Sequence, residues 1–228
     1  MKTSQKVFIF FLFVAVAFFI GSLFNLNLLA TAGNVLLIPT LILYYRYKVK
    51  KWFLAMVIAL LLFYARDIFM MFGFHTNPEI ILASFGSAIL ILYLFALTGF
   101  QRTKAHFVEW ISLLIMYGFL GFLFISIGGL VPQVIPSFVI PTYAYLLFLT
   151  LLLALTFTEY LLKSHYASLW LMLASASLLV SELSLFFKMY VIQDVSVNIF
   201  FPLFHVIAYY AMVQHVIYRR RSTRIPWF

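Results

Sequence analysis

The sequence predicts an all-α, polytopic membrane protein of about eight transmembrane helices. Three observations carry this. Of its 228 residues, 66% are hydrophobic and only 9% are charged, and the mean hydropathy is +1.11. Runs of eighteen or more mostly apolar residues recur along the chain, long enough to cross a hydrocarbon core of ~30 Å as helices. These runs are too long and too uniformly apolar for barrel strands. The helix remains, because it satisfies its own backbone hydrogen bonds in lipid.

The spans are expected near residues 7–25, 28–45, 52–72, 79–100, 107–126, 138–162, 169–187 and 197–218. Their connectors are short, so neighbours should form antiparallel hairpins within one domain, 1–228. The first span follows Lys2 and Lys6 and reads VFIFFLFVAVAFFI. That is a fair signal-peptide core, but the GSLFNLN after it has no clear small-x-small cleavage site, so an uncleaved span is expected. Pro132, Pro136 and Pro141 gather at the entry of the sixth span. They have no counterpart in the other half, which weighs against the paired broken helices of a transporter.

Charge sets the expected orientation. The formal net charge is +9, which in a soluble chain points to nucleic acid. Here the basic residues lie in short loops beside spans, where they fix topology, and no nucleic-acid partner is expected. With the N-terminus inside, Lys2, Lys6, Arg46, Lys48, Lys50, Lys51, Arg102, Lys104, Lys163, Arg219, Arg220, Arg221 and Arg224 all fall inside. Lys188 alone lies outside, and Arg66 lies within a span. Both termini are therefore expected in the cytoplasm, in a bacterial inner membrane.

The six acidic residues divide by depth. Glu79 and Asp194 fall at outer span ends. Glu109 and Glu159 fall near inner ends beside basic neighbours, where solvation or ion pairing accounts for them. Asp67, in FYARDIFMMFG, and Glu182, in SLLVSELSLFF, differ. Each lies about five residues, roughly 7 Å, short of the outer end of its span. An acid at mid-span costs roughly 2.5–3.5 kcal/mol on insertion scales, so such residues turn inward and carry function. Pairing of Asp67 with Arg66 is expected to be poor, because adjacent helical residues point about 100° apart, although a long Arg can curl or reach another helix. For Glu182 the competing reading is a structural polar residue among Ser175, Ser181 and Ser184, in a helix whose small residues (ASAS, 174–177) allow close packing.

The last span, VNIFFPLFHVIAYYAMVQHVIY, is also polar. Tyr210 and Gln214 share one side, and Asn198, His205 and Tyr209 another. His205 alone reads as a satisfied core histidine. Tyr145 and Asn34 lie in the outer half and are candidates to face the same cavity as Asp67 and Glu182. With no cysteine, disulfides and thiol chemistry are excluded. The last span has no lysine for a retinal Schiff base. Only one histidine lies well inside a span, too few for a bis-histidine haem. No zinc, phosphate-loop or nucleophile-elbow spacing occurs, so neither metal nor cofactor is expected. Two buried carboxylates at one depth, with Tyr, Gln and His nearby, are the equipment of general acid–base chemistry.

Several stretches resemble the YhhN-like family of integral membrane proteins, the lysoplasmalogenases. NVLLIPTLILYY (34–45) resembles its second-span segment through Pro39. FYARDIFMMFG (63–73) resembles its Gly-Asp-x-x-Leu-Met segment through Asp67. VIPTYAYLL (139–147) resembles its Pro-x-x-x-Tyr segment through Pro141 and Tyr145. SLLVSELSLFF (177–187) resembles its Phe-x-x-Ser-Asp segment through Ser181 and Glu182, and Tyr210 and Gln214 resemble its final Tyr-x-x-x-Gln. Each motif is short, and together they cover essentially the whole chain in family order. The chain departs from the pattern with Glu182 for the usual Asp, Arg66 for the Gly before the first Asp, and Asn34 where lysine is common.

The resemblance implies hydrolysis of the vinyl ether bond of lysoplasmalogen, a lysophospholipid, to a fatty aldehyde and a glycerophospho-base. One carboxylic acid would protonate the vinyl carbon, and the other carboxylate would stabilise the oxocarbenium ion and guide water, much as in glycoside hydrolysis. Glu182 is expected as the acid and Asp67 as the carboxylate, meeting across a lipid-sized cavity. Tyr145, Tyr210, Gln214, Asn34 and His205 would contact water or substrate, and Arg66 or Lys188 the phosphate. The alternatives are a non-catalytic lipid-binding relative of the same fold and, behind it, a small-solute transporter.

Overall fold

The structure is a computed structural model and describes residues 2–73, 76–99, 106–134, 138–163, 165–191 and 195–222. Arg102, Lys104, Pro136, Asp194 and Arg224 lie outside the described residues, as do the side chains of Lys163, Arg220 and Arg221. Among the described residues the protein is all-helical. The elements are α1 (Thr3–Leu23), α2 (Asn27–Val49), α3 (Leu54–Met71), α4 (Pro78–Gly99), α5 (Phe107–Gly128), α6 (Val131–Val134), α7 (Val139–Lys163), α8 (Tyr166–Tyr190) and α9 (Val195–Ser222). Eight of them, all but α6, are long and apolar enough to cross a membrane. The chain is a multi-pass membrane protein. An even number of crossings puts the start of α1 and the end of α9 on one face, the termini face.

The helices run past the apolar segments that announce them. α2 continues to Val49 through Arg46 and Lys48, and α8 begins at Tyr166 and ends at Tyr190. Backbone hydrogen bonding does not stop where hydropathy falls, and long basic side chains carry their charge back to the interface. The short α6 has no signal of its own in the sequence.

Local chemistry sets several ends. The Glu109 carboxylate accepts the backbone N–H of His106 at 2.7 Å, capping α5. An acid in the first turn also complements the helix dipole. The turn between α1 and α2 holds Asn25 at φ 54°, a left-handed conformation that Asn tolerates better than most residues. The two helices then pack backbone to backbone. A Cβ on Gly33 would lie 2.6 Å from the Phe18 nitrogen, and one on Gly21 would overlap the Ala30 backbone. This is the close approach that small residues permit between helices in lipid.

The bundle is centred on α9, which packs on α8 and also meets α1, α2 and α3. α7 lies between α8, α4 and α5, while α5 packs mainly on α7 and α6 and turns most of its surface outward. Tyr45, Leu37, Leu41, Leu60, Leu171 and Tyr209 are among the residues sealed in the core. Glu159, expected at the interface, is 5% exposed, on a helix that packs on α8, α4 and α5.

Candidate functional site

In the half of the bundle away from the termini, α3, α7, α8 and α9 bring six polar side chains together. α3 supplies Arg66 and Asp67, α7 Tyr145, α8 Ser181 and Glu182, and α9 His205. Tyr209, one turn beyond His205, joins from the same helix. Arg66, Asp67, Glu182, His205 and Tyr209 are buried, His205 and Tyr209 completely.

Arg66 is the hub. Its Nη1 donates to Asp67 Oδ1 at 2.8 Å. Its Nη2 donates to Glu182 Oε2 and lies 3.4 Å from the Tyr145 hydroxyl. The Tyr145 hydroxyl also donates to Glu182 Oε2. The direct Arg66–Asp67 pair corrects the expectation that neighbours on a helix pair poorly. The flexible stem lets one guanidinium reach both carboxylates, with Nη1 on Asp67 and Nη2 on Glu182. Phe85, from α4, stacks on Tyr145 with ring centroids 4.1 Å apart and lies under the guanidinium, 5.6 Å from its central carbon. A planar, weakly hydrated cation on an aromatic face suits this desolvated position better than an ammonium would.

Behind Arg66, the other oxygen of Asp67 is held twice. Tyr209 donates its hydroxyl to Oδ2 at 2.7 Å, and His205 Nε2 lies 3.1 Å from the same atom. His205 Nδ1 in turn lies 3.3 Å from the Ser181 hydroxyl, which also donates to the Phe201 carbonyl. Charge-assisted bonds of this kind are roughly twice as strong as neutral ones. Asp67 is thus fixed on both oxygens, whereas Glu182 uses one. Glu182 Oε1 is buried with no hydrogen-bond partner, and so are Arg66 Nε and the Tyr190 hydroxyl.

Those three residues line one cavity. It has a volume of about 90 Å³ and lies between α3, α4, α7 and α8, under α6. A single water needs ~10–15 Å³ on this measure, so the space admits several waters or a short stretch of ligand. Its polar members are Arg66, Thr142, Tyr145, Glu182 and Tyr190, and the rest of the wall is aliphatic or aromatic. Asp67 is not in the lining. The two carboxylates therefore do not face each other across a lipid-sized cavity. One guanidinium fills the space between them, and only Glu182 reaches the void. Among the described residues, no group of three or more His, Asp or Glu gathers with metal-ligating geometry.

The other expected residues lie elsewhere. Tyr210 points toward the termini face and packs between Phe8, Phe11 and Trp170. Gln214 Nε2 reaches the Tyr44 hydroxyl at 3.4 Å. Tyr209 and Tyr210 point about 100° apart on α9, and that angle sends one into the cluster and the other out of it. Asn34 lines a different cavity, with Lys188. Of the serines near Glu182, Ser175 bonds Thr156 and Ser184 its own helix. Only Ser181 joins the network, through His205. Phe85 and Tyr190 carry no sequence signal that separates them from other membrane aromatics. Tyr209 was visible through its shared side with His205.

Compared with protein-family models, with curated proteins and with solved structures, the chain has no match.

Proposed function

We propose that the protein is an intramembrane hydrolase of the lysoplasmalogenase type, with Glu182 as the residue that touches substrate. The observation that carries this reading is the unpartnered Oε1 of Glu182 on the wall of an apolar cavity, beside Tyr145 and the likewise unpartnered Tyr190 hydroxyl. A buried polar atom without a partner costs ~1–3 kcal/mol. A cavity that gathers several such atoms is organised for a ligand with polar atoms in an otherwise apolar body. A single-chain lipid with an ether near its headgroup has that form.

Charge balance assigns the proton. Arg66 neutralises one carboxylate, and Asp67, bonded on both oxygens, is the anion. Glu182 then carries the proton on the oxygen that faces the cavity. It transfers this proton to the vinyl carbon remote from the ether oxygen, leaving an oxocarbenium ion on the neighbouring carbon. Glu182, now a carboxylate held by Arg66 and Tyr145, removes a proton from the water that bonds to that carbon. The resulting hemiacetal breaks its bond to the glycerol oxygen, which takes up the hydroxyl proton, and releases the fatty aldehyde. One carboxyl group serves as acid and then base. Asp67 does not touch substrate. With His205 and Tyr209 it positions Arg66. The excess of Lys and Arg at the ends of α1, α2 and α9 on the termini face supports a cytoplasmic location for that face, in a bacterial inner membrane.

The test is aldehyde release from lysoplasmalogen by the purified protein in mild detergent. Glu182→Gln keeps the shape and removes the proton, and should lower the rate by about 10²–10⁴-fold. A Glu182→Gln protein as active as the wild type would overturn the assignment. One observation favours a second reading, a non-catalytic lipid-binding protein of the same fold. Arg66 ties both carboxylates into an ion-pair cluster, an arrangement that also serves structure alone. Well-folded wild-type protein that retains lysolipid and releases no aldehyde would decide for it.

A further inference from the structure

A second cavity, of about 190 Å³, opens on the face opposite the termini, between the α1–α2 turn and the ends of α3, α8 and α9. Met71 and Lys188 line it, while their neighbours Met70 and Met189 line the Glu182 cavity. Neighbouring residues of α3 and α8 thus line one space or the other. Their chemistry differs. Ser22, Asn25, Asn27, Thr31, Asn34 and Lys188 all contribute to the second lining, and among the described residues no acid does.

Three independent features point to a negatively charged oxygen ligand. Lys188 is a half-buried cation whose charge no carboxylate among the described residues offsets. Asn34 lines the same space, and its amide carries two N–H donors that an acceptor arriving from outside can satisfy. Finally, α2 starts here with no side-chain cap, and its first residue, Asn27, lines the cavity. Uncapped N–H groups and the positive end of the helix dipole favour an anion. The volume is more than ten times the ~10–15 Å³ that one water requires, enough for a phosphate group with its waters.

We propose that this vestibule is an oxyanion site that holds a phosphate group, carried by a lipid headgroup or free in solution. It stands on its own lining and does not depend on chemistry at Glu182.

The test uses the full-length protein in detergent and three probes: lysophosphatidylethanolamine, the monoacylglycerol of the same chain, and inorganic phosphate. Binding is measured by titration calorimetry for the wild type, Lys188→Gln and Asn34→Asp. The wild type should bind the phosphate-bearing lipid at least tenfold tighter than the monoacylglycerol, as one charge-assisted hydrogen bond predicts. Each substitution should remove about tenfold of that preference and leave monoacylglycerol binding unchanged. Substitution-sensitive binding of inorganic phosphate, without a preference between the two lipids, would assign the site to a free oxyanion. Equal binding of both lipids with no binding of inorganic phosphate would overturn the proposal, as would a preference that survives both substitutions. Aldehyde release is read separately with Glu182→Gln, so failure of the hydrolase reading leaves this result interpretable.

Discussion

Tyr209 and Tyr210 are neighbours on α9 and belong to two different regions. Tyr209 is sealed in the half away from the termini, where its hydroxyl serves Asp67. Tyr210 faces the other half, in an aromatic cluster with Phe8, Tyr44 and Trp170. The first region ties α3, α7, α8 and α9 together through charge. The second ties α1, α2, α8 and α9 together through ring faces, with Gln214 bonded to Tyr44 as its polar contact. Composition does not separate them, since both are Tyr-rich and lie inside the bundle. What separates them is ionised partners, because only a charge cluster can be broken by leaving one member unpaired.

Arg66→Met leaves the buried Asp67 carboxylate without its cation and Glu182 without its donor. It should destabilise the protein by about 3–5 kcal/mol, read as the unfolding midpoint in detergent. An unchanged midpoint would mean that the cluster is not a unit. Asp67→Asn keeps the shape and leaves Arg66 paired with Glu182, so about 1.5–3 kcal/mol should be lost. Gly33→Ala lies outside both regions, at the α1–α2 contact. Its Cβ would press on Phe18, at a cost of about 1–3 kcal/mol, and Gly86→Ala, which meets nothing, is the control. The smallest and sharpest contrast is between the tyrosines themselves. Tyr209→Phe should cost ~1 kcal/mol, one hydrogen bond to a charged partner that keeps His205. Tyr210→Phe should stay within ~0.5 kcal/mol because its ring contacts remain. Equal costs for the two would erase the distinction drawn here.

Much of the fold was legible in the sequence. Eight apolar segments specify eight spans, and the errors fall at their ends, where hydropathy drops before the helix stops. That Asp67 and Glu182 share a level was legible as well, since both reach Arg66, although α8 runs on to Tyr190 and leaves Glu182 deeper below its helix end than the span boundary implied. Azimuth was not. On a helix that is apolar on most sides, no stripe reports which way a side chain points. Tyr210 and Gln214 could therefore not be separated from His205 and Tyr209 without the packing of α9 against its neighbours. The role of Arg66 was hidden for another reason. Its reach depends on a flexible stem, and sequence spacing measures only where that stem begins. Gly21 and Gly33 allow the close α1–α2 contact, yet neither stood out in a membrane sequence where glycine is common.

The most direct test of the account is a double-mutant cycle between the two carboxylates. In Glu182→Gln the ionised Asp67 remains as the partner of Arg66, in Asp67→Asn Glu182 gives up its proton and takes that place, and the double variant leaves Arg66 with no ionised partner. Unfolding free energies of the wild type, both single variants and the double variant should show a double variant at least ~1–3 kcal/mol less stable than the sum of the singles predicts. Additivity within ~0.3–0.5 kcal/mol would contradict it, because Asp67 and Glu182 would then not share a cation.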